Sequence, residues 1–358
     1  MSAFIQNLRS PIDSLHIALL ARKLGNPATA HEFVDKCRDM LEKAPSEDTK
    51  GEMSLRIASE IFSHTKDKKV KGMAAATMNM KGKSVCLVNA RLAACNTALS
   101  MITSPVSGPA DSVLCSAALA SMKKERGSFI VEAFVPEILK VSNNPSLKTA
   151  FDCVGKYAER YSEYSCYGYE AYQNTIEVCA SQNADSPELL LALIAARTSR
   201  GDRLGHFGCE EISRYYVDEI ASITRDNTTR MVAETVSRIC HLDAMDQAYF
   251  KGSVLYPLFK MLAEVIEQPR QSDNPADVLV SAEKSLFSEW DNDDDSDILV
   301  RSGAAKIFEE EIAKARNLYS ARETVKEMVE AASGKHEAPE IEEVSDYILI
   351  DGVKLEKR

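Results

Sequence analysis

Apolar residues recur every three to four positions almost without interruption from Ile12 to about Ser333, and the residues that break helices are confined to a few short clusters. The chain holds only 15 glycines and 12 prolines in 358 residues. Punctuation falls at Gly25-Asn26-Pro27, Ala44-Pro45-Ser46, Ser104-Pro105 through Gly108-Pro109, Asn143-Asn144-Pro145, Asp185-Ser186-Pro187 and Asn274-Pro275. Several of these place a capping residue before proline, so that proline takes the first helical position, where its missing N–H costs nothing. The pattern predicts an all-α protein of roughly a dozen helices, with no strand before residue 340.

A weak internal repeat overlies this pattern. A capping residue followed six positions later by a small residue recurs at Asp48/Ser54, Asp111/Ala117, Asn144/Ala150, Ser186/Ala192, Asn227/Ala233 and Asp297/Gly303. A small residue one and a half turns into a helix lets a neighbouring helix approach closely, as stacked helical hairpins require. Across residues 46 to 315 the chain resembles the HEAT and armadillo α-solenoids, with Asp297-Ile298-Leu299-Val300-Arg301 nearest to the opening of their second helices. The resemblance implies a solenoid of antiparallel helix pairs; the alternative is a compact helical bundle.

Residues 1–333 read as the helical body, and within it 297–333 form a long terminal helix. There Phe308, Ile312, Ala315, Tyr319, Val325 and Val329 make one apolar stripe, and Gly334 stops the helix. The stripe suits a cap on the array or a helix that pairs with a partner. Residues 334–358 differ in character. An acidic run, Glu340 to Asp346, leads into two β-prone stretches flanking Asp351-Gly352, which predicts a short C-terminal β-hairpin. The same stretch also resembles a linear motif: acids before Tyr347-x-x-Ile350 are similar to segments that add a strand to ubiquitin-like modifiers, or to a tyrosine sorting signal.

The net charge of −11 argues against nucleic acid as the main partner. Charges at Arg9, Asp13, Arg22 and Lys23 exclude a signal peptide or membrane span at the start, and Asn89, Arg91 and Asn96 make the apolar stretch 84–102 a buried helix. Nine cysteines (37, 86, 95, 115, 153, 166, 179, 209 and 240) form no CxxC pair and fall mostly on apolar helical faces. Reduced core thiols of a cytoplasmic protein account for this.

Five constellations carry chemical interest. Asp291, Asp293, Asp295 and Asp297 occupy alternate positions of a calcium loop, but Ser296 stands where the turn wants glycine and Ser302 where a bidentate glutamate belongs. Asp293, Asp294 and Asp297 also resemble the aspartate-rich motif of class I isoprenoid synthases, without a second metal-binding motif downstream. The run is therefore an acidic loop with Asp297 as a helix cap, or a Ca2+ or Mg2+ site. His206, Cys209, Cys240 and His241 could form a zinc site only if adjacent residues of one helix reached the same ion, and the remaining histidines are scattered.

Lys66, Lys68, Lys69, Lys71, Lys81 and Lys83 make a basic stretch without interleaved arginine or aromatics, which reads as a solvated inter-helical loop. Half of the 12 tyrosines are Tyr157, Tyr161, Tyr164, Tyr167, Tyr169 and Tyr172, a candidate binding groove that Tyr215, Tyr216, Tyr249 and Tyr256 could extend. These residues point to a non-enzymatic scaffold or adaptor that binds a protein partner through its tyrosines and through Tyr347 and Ile350 of the tail. Alternatives are a divalent-metal-dependent all-α enzyme using the aspartates, and a nucleic-acid-binding or assembly protein using the lysines. The sequence leaves the oligomeric state open.

Overall fold

The structure is a computed structural model. It describes residues 10–104, 106–125, 127–160, 165–181, 184, 186–199, 207–242, 251–267, 274–290, 295–333, 341–344, 347–350 and 353–356. Fifteen helices account for nearly all of them. They are α1 (Pro11–Lys23), α2 (Pro27–Glu42), α3 (Glu47–His64), α4 (Lys68–Asn79), α5 (Val85–Thr103), α6 (Ala110–Lys124), α7 (Ser128–Val141) and α8 (Pro145–Arg160), then α9 (Ser165–Ser181), α10 (Pro187–Ser199), α11 (Phe207–Ile223), α12 (Asn227–Cys240), α13 (Lys251–Glu267), α14 (Pro275–Glu289) and α15 (Asp295–Ser333). The protein is all-α in its body, as its periodicity predicts. Three four-residue strands follow: β1 (Ile341–Val344), β2 (Tyr347–Ile350) and β3 (Val353–Glu356). They pair antiparallel in the order β1-β2-β3, with Val344 opposite Tyr347 and Ile350 opposite Val353.

Side-chain caps set many of the helix starts. Ser10, Asn26, Ser46, Asp67, Ser84, Asp226 and Asn274 each accept a hydrogen bond from a backbone N–H of the first turn, satisfying donors that the helix itself leaves free. Asn144 and Ser186 do the same for Ser146 and Leu189. Asp48, Asp111, Asn227 and Asp297, read from the sequence as caps, instead lie inside their helices' first turns. The capping job there falls to Ser46 and Asp226, one or two positions earlier, and α6 follows Pro109 with no side-chain cap. Of the paired small residues, Ser54, Ala150, Ala192 and Ala233 are fully buried.

Contacts run along the chain. Each helix packs mainly on those one to three places away in sequence order, and α1 reaches as far as α5. Two helices are enclosed. In α4, Val70, Gly72, Met73, Ala74, Ala75, Ala76 and Thr77 are all buried, among α3, α5, α6 and α7. In α10, Leu190, Leu191, Ala192, Ile194, Ala195, Ala196, Thr198 and Ser199 are buried, among α8, α9, α11 and α13. A helix apolar on every side belongs inside a core, and alanine and glycine let four neighbours approach it. At Gly72 a Cβ would fall 2.8 Å from the Leu114 side chain, so a larger residue there would require Leu114 of α6 to shift. The two groups of helices join where α9 packs on α6; there Ser112 donates to the Ala180 carbonyl at 3.4 Å.

The helix α5 is long and apolar enough to cross a membrane by length and composition, yet half of that window is buried inside the fold. Its arginine explains its place. Arg91 is 3 % exposed, and its guanidinium donates to three carbonyls: Met80 at 2.8 Å, Gly51 at 3.1 Å and Gly82 at 2.7 Å. The group thereby ties α5 to the second turn of α3 and to the C-terminal end of α4. Burial lowers its pKa below the usual arginine value, but the group stays cationic. Gly51 makes room: a Cβ there would stand 3.0 Å from Arg91 Nη1.

Six described cysteines, Cys37, Cys95, Cys115, Cys153, Cys179 and Cys240, are buried thiols outside any disulfide, and Cys86 is an exposed one. Burial pushes the thiols of Cys37, Cys153 and Cys179 up to about 12 from their usual 9.0. Cys95 and Cys115 are raised as well, first by burial and then by a neighbouring thiol, Cys37 and Cys179 respectively.

Two outcomes are expected. Arg91→Met should destabilise the protein by roughly 3–5 kcal/mol, because the carbonyls of buried Gly51 and Met80 and of exposed Gly82 lose their donor, and Gly51→Ala should act in the same direction less severely; urea unfolding measures both. The raised thiols stabilise the fold fully below pH 9, and the gain is lost as pH rises from 9 towards 12, because the unfolded chain ionises first. At about 1.4 kcal/mol per thiol per pH unit, the unfolding midpoint should drop steeply between about pH 9 and 11. Without denaturant, a thiol reagent at pH 7.5 should label Cys86 fast and the five raised thiols only on unfolding.

Candidate functional site

The candidate tyrosines gather around the α8–α9 connection. Tyr157 falls in α8, and Tyr167, Tyr169 and Tyr172 in α9; Tyr161 and Tyr164 lie outside the described residues, as do the side chains of Tyr157, Tyr167 and Tyr169. Tyr172 is half-buried against the core, its hydroxyl facing Gly155 of α8 across a gap that a Cβ would close to 3.5 Å. The proposed extension is only partly a surface. Tyr216 is fully buried in α11, because it sits on the same face as Val217 and Ile220 against α10, whereas Tyr215 and Tyr256 are half-buried; Tyr249 lies outside the described residues.

Asp291 and Asp293 lie outside the described residues, and Asp295 and Asp297 fall in the first turn of α15, their side chains likewise outside. The helix thus begins at Asp295, two residues before the position expected for its cap. Of the tail candidates, Tyr347 and Ile350 are the first and last residues of β2. Cys240 is buried while His241 is exposed and hydrogen-bonded through Nδ1 to the Ser237 carbonyl at 2.7 Å, so the two do not converge. His206 and the Cys209 side chain lie outside the described residues.

The basic stretch is only partly a loop: Lys68, Lys69 and Lys71 fall in α4, while Lys66, Lys81 and Lys83 flank it. Asp67 caps α4, and that part is helical because Val70, Met73, Ala74 and Thr77 bury one face after another in the core. The helix then divides the lysines. Lys66 and Lys68 are exposed at its start, and Lys81 and Lys83 are exposed past its end, about 18 Å away. Two in between are engaged: Lys69 donates to the Val106 carbonyl at 2.7 Å, and Lys71 lies 4.6 Å from the centre of the Phe62 ring.

The structure brings together one set of residues that the sequence leaves apart. His16 of α1 meets Glu60 and His64 of α3, and the ligand atoms of all three lie within 4.8 Å of one another. His16 Nε2 is 2.8 Å from Glu60 Oε2, and His64 Nδ1 is 3.4 Å from the same oxygen. The imidazole rings are tilted, with centroids 5.3 Å apart. His64 Nδ1 is also 3.0 Å from the Glu60 carbonyl one turn back, a bond in which the ring nitrogen donates. The hydrogen bond from His16 holds the Glu60 carboxyl below its usual value, assisted by the charges of His16, His64 and Arg56. Glu60 and His64 are spaced four apart on one helical face, which is visible in the sequence. His16 is 44 residues away, and only the packing of α1 on α3 supplies it.

The chain matches no protein-family model, no curated protein and no solved structure. Its function is therefore argued from its own residues.

The lowered pKa of Glu60 has a definite sign. Its contribution to stability is present above the unfolded value of 4.5 and is lost as pH falls through the lower folded value. The stability difference between the protein and its Glu60→Gln variant should therefore be constant from about pH 5 to 6 and should shrink below about pH 4.5, as followed by thermal unfolding. The effect should be under about 1 kcal/mol, since the pair is solvent-exposed.

Proposed function

We propose that the chain is a non-catalytic helical scaffold that binds a protein partner, and that its terminal helix and the segment around α8 and α9 carry the binding. The observation that supports this best is the change of character within α15. Up to Ala315 the helix buries Val300, Ala304, Ile307, Phe308, Ile312 and Ala315, and Arg238 of α12 ties it down through Glu310 at 2.7 Å and through Glu311. From Arg316 to Val329 no residue is buried, although the apolar stripe continues through Tyr319 and Val325, with Met328 66 % exposed. A cap needs only the first part. The second, apolar on one side and unpacked among the described residues, is suited to lie in a partner's groove.

The tyrosines of residues 157–172, read from the sequence, would add a second surface, since aromatic side chains give large contact area at low entropic cost. The tail adds a third. With β3 paired to β2 and β1 on its other side, the two outer strands have no further strand beside them among the described residues and could take an added one.

Within this reading the body is a stack of antiparallel helix pairs of the α-solenoid kind, supported by contacts that pass from each helix to its near successors. The enclosed helices α4 and α10 are more than a two-layer stack requires and support the compact alternative. Either architecture presents the same three surfaces.

Purified full-length chain carrying Val325→Asp with Met328→Asp, or Tyr161, Tyr164 and Tyr169→Ala, or lacking residues 334–358, should keep its thermal midpoint. Each should lose at least tenfold in affinity for a partner first identified by capture from the native cell and then purified. Retained affinity in all three would overturn the scaffold reading. Retention on RNA or heparin at low salt, abolished by lysine-to-glutamate changes at 66, 68, 81 and 83, would favour the nucleic-acid alternative instead.

A further inference from the structure

The geometry points to a transition-metal site at His16, Glu60 and His64, one that takes Zn2+ and staples α1 to α3. Two imidazoles and one carboxylate are a zinc ligand set, and three protein ligands leave the fourth tetrahedral position to water. In a tetrahedral site with bonds near 2.1 Å the donor atoms stand about 3.4 Å apart. Here His16 Nε2 and His64 Nδ1 lie 2.8 and 3.4 Å from Glu60 Oε2, and the whole set falls within 4.8 Å. The remaining adjustment is a small rotation of side chains that are 47 %, 34 % and 54 % exposed, with no packing to disturb.

Metal-bound histidines usually donate their other ring N–H to a carbonyl or carboxylate, which fixes the tautomer and the ring. With Nδ1 as the ligand atom of His64, its bond to the Glu60 carbonyl at 3.0 Å gives way to the metal, and Nε2–H of this exposed ring is left to donate to water. Glu60 supplies the one carboxylate of the ligand set, beside two imidazoles that are neutral when they ligate. Arg56, one turn before Glu60, is a further positive charge that acts on that carboxylate. Hard ions such as Mg2+ prefer all-oxygen sites and are excluded by the two nitrogens.

A staple at this place has a physical consequence. His16 comes from α1 and the other two ligands from the last turn and a half of α3, so the ion joins elements 44 residues apart in sequence. Binding to the folded chain alone raises its stability by mass action.

The test uses the full chain, stripped with chelator and kept in a non-thiol reductant, with Zn2+ alone as the probe. Calorimetry should show one equivalent bound, and the thermal midpoint should rise with zinc and return on adding EDTA. His16→Asn and His64→Asn should each weaken binding at least tenfold and remove the zinc-dependent rise, while the exposed control His31→Asn changes neither. Without zinc, all three variants should melt with the wild type, which separates loss of a ligand from loss of fold. Co2+ should give the intense visible bands of a tetrahedral site without a sulfur charge-transfer band, which sets this site apart from one built on cysteine. No binding, or binding that survives the His16→Asn/His64→Asn double change, overturns the assignment.

Discussion

The burial of the Arg91 guanidinium constrains the N-terminal half of the fold more than any other single contact. A cation taken out of water must recover its hydration from fixed dipoles, and Arg91 does so with three carbonyls and no described carboxylate partner. Two of those carbonyls, of Met80 and Gly82, belong to the end of α4 and the turn after it, where helix termini leave acceptors unsatisfied. The third, from Gly51, is on α3. One side chain therefore settles two problems at once: the open end of α4 is closed, and α5 is fixed in rotation against α3. The fit is tight at position 51, where a Cβ would stand 3.0 Å from Arg91 Nη1, and with it an apolar helix of membrane-spanning length lies half buried in the fold.

From that fixed corner the packing follows the size of side chains. The enclosed helix α4 presents Gly72, Ala74, Ala75 and Ala76 to its neighbours, and α10 presents Ala192, Ala195 and Ala196. Small residues allow close approach on every side, so each of these helices can gather four others without a void. The buried thiols fill the same role as small apolar groups. At the seam where the two helix groups meet, burial raises the thiols of Cys115 of α6 and Cys179 of α9, Cys179 raises Cys115 further, and the carboxylate of Asp111 acts in the same direction on both. That carboxylate is itself held by the Ser142 hydroxyl at 2.7 Å, so the seam combines apolar packing with one anchored charge.

How far the sequence discloses this depends on whether a feature is local. Helix starts at Pro27, Pro145, Pro187 and Pro275 are legible because cap and proline are adjacent in the chain, and the long helix ending at Ser333 is legible from its stripe and the glycine that follows. The lysine stretch misleads for a physical reason. Its charges suggest solvent, but Val70, Met73 and Thr77 interleave with them at helical spacing, and burial of that face outweighs the charge pattern. Tyr216 misleads likewise, since tyrosine serves both cores and surfaces and composition does not say which. The His16, Glu60 and His64 cluster is not legible at all beyond its i, i+4 half, because the third member arrives through tertiary packing.

The same packing gives the cluster its meaning. Along α1, His16 lies beside the end of α3, and two turns later Arg22 reaches Asp67 at 3.5 Å and the Met101 carbonyl at 3.5 Å. Asp67 is also the residue that caps α4. The first helix therefore follows the hand-over from α3 to α4, with a histidine–carboxylate contact on one side of the break and an ion pair to the cap on the other. Each is a solvent-exposed polar contact and contributes little alone. A metal ion would change that balance, because coordination bonds to three ligands are not screened as a surface ion pair is. It would convert a joint now held by α1's apolar face, with Leu15 and Ala18 buried, into one also held at its polar edge.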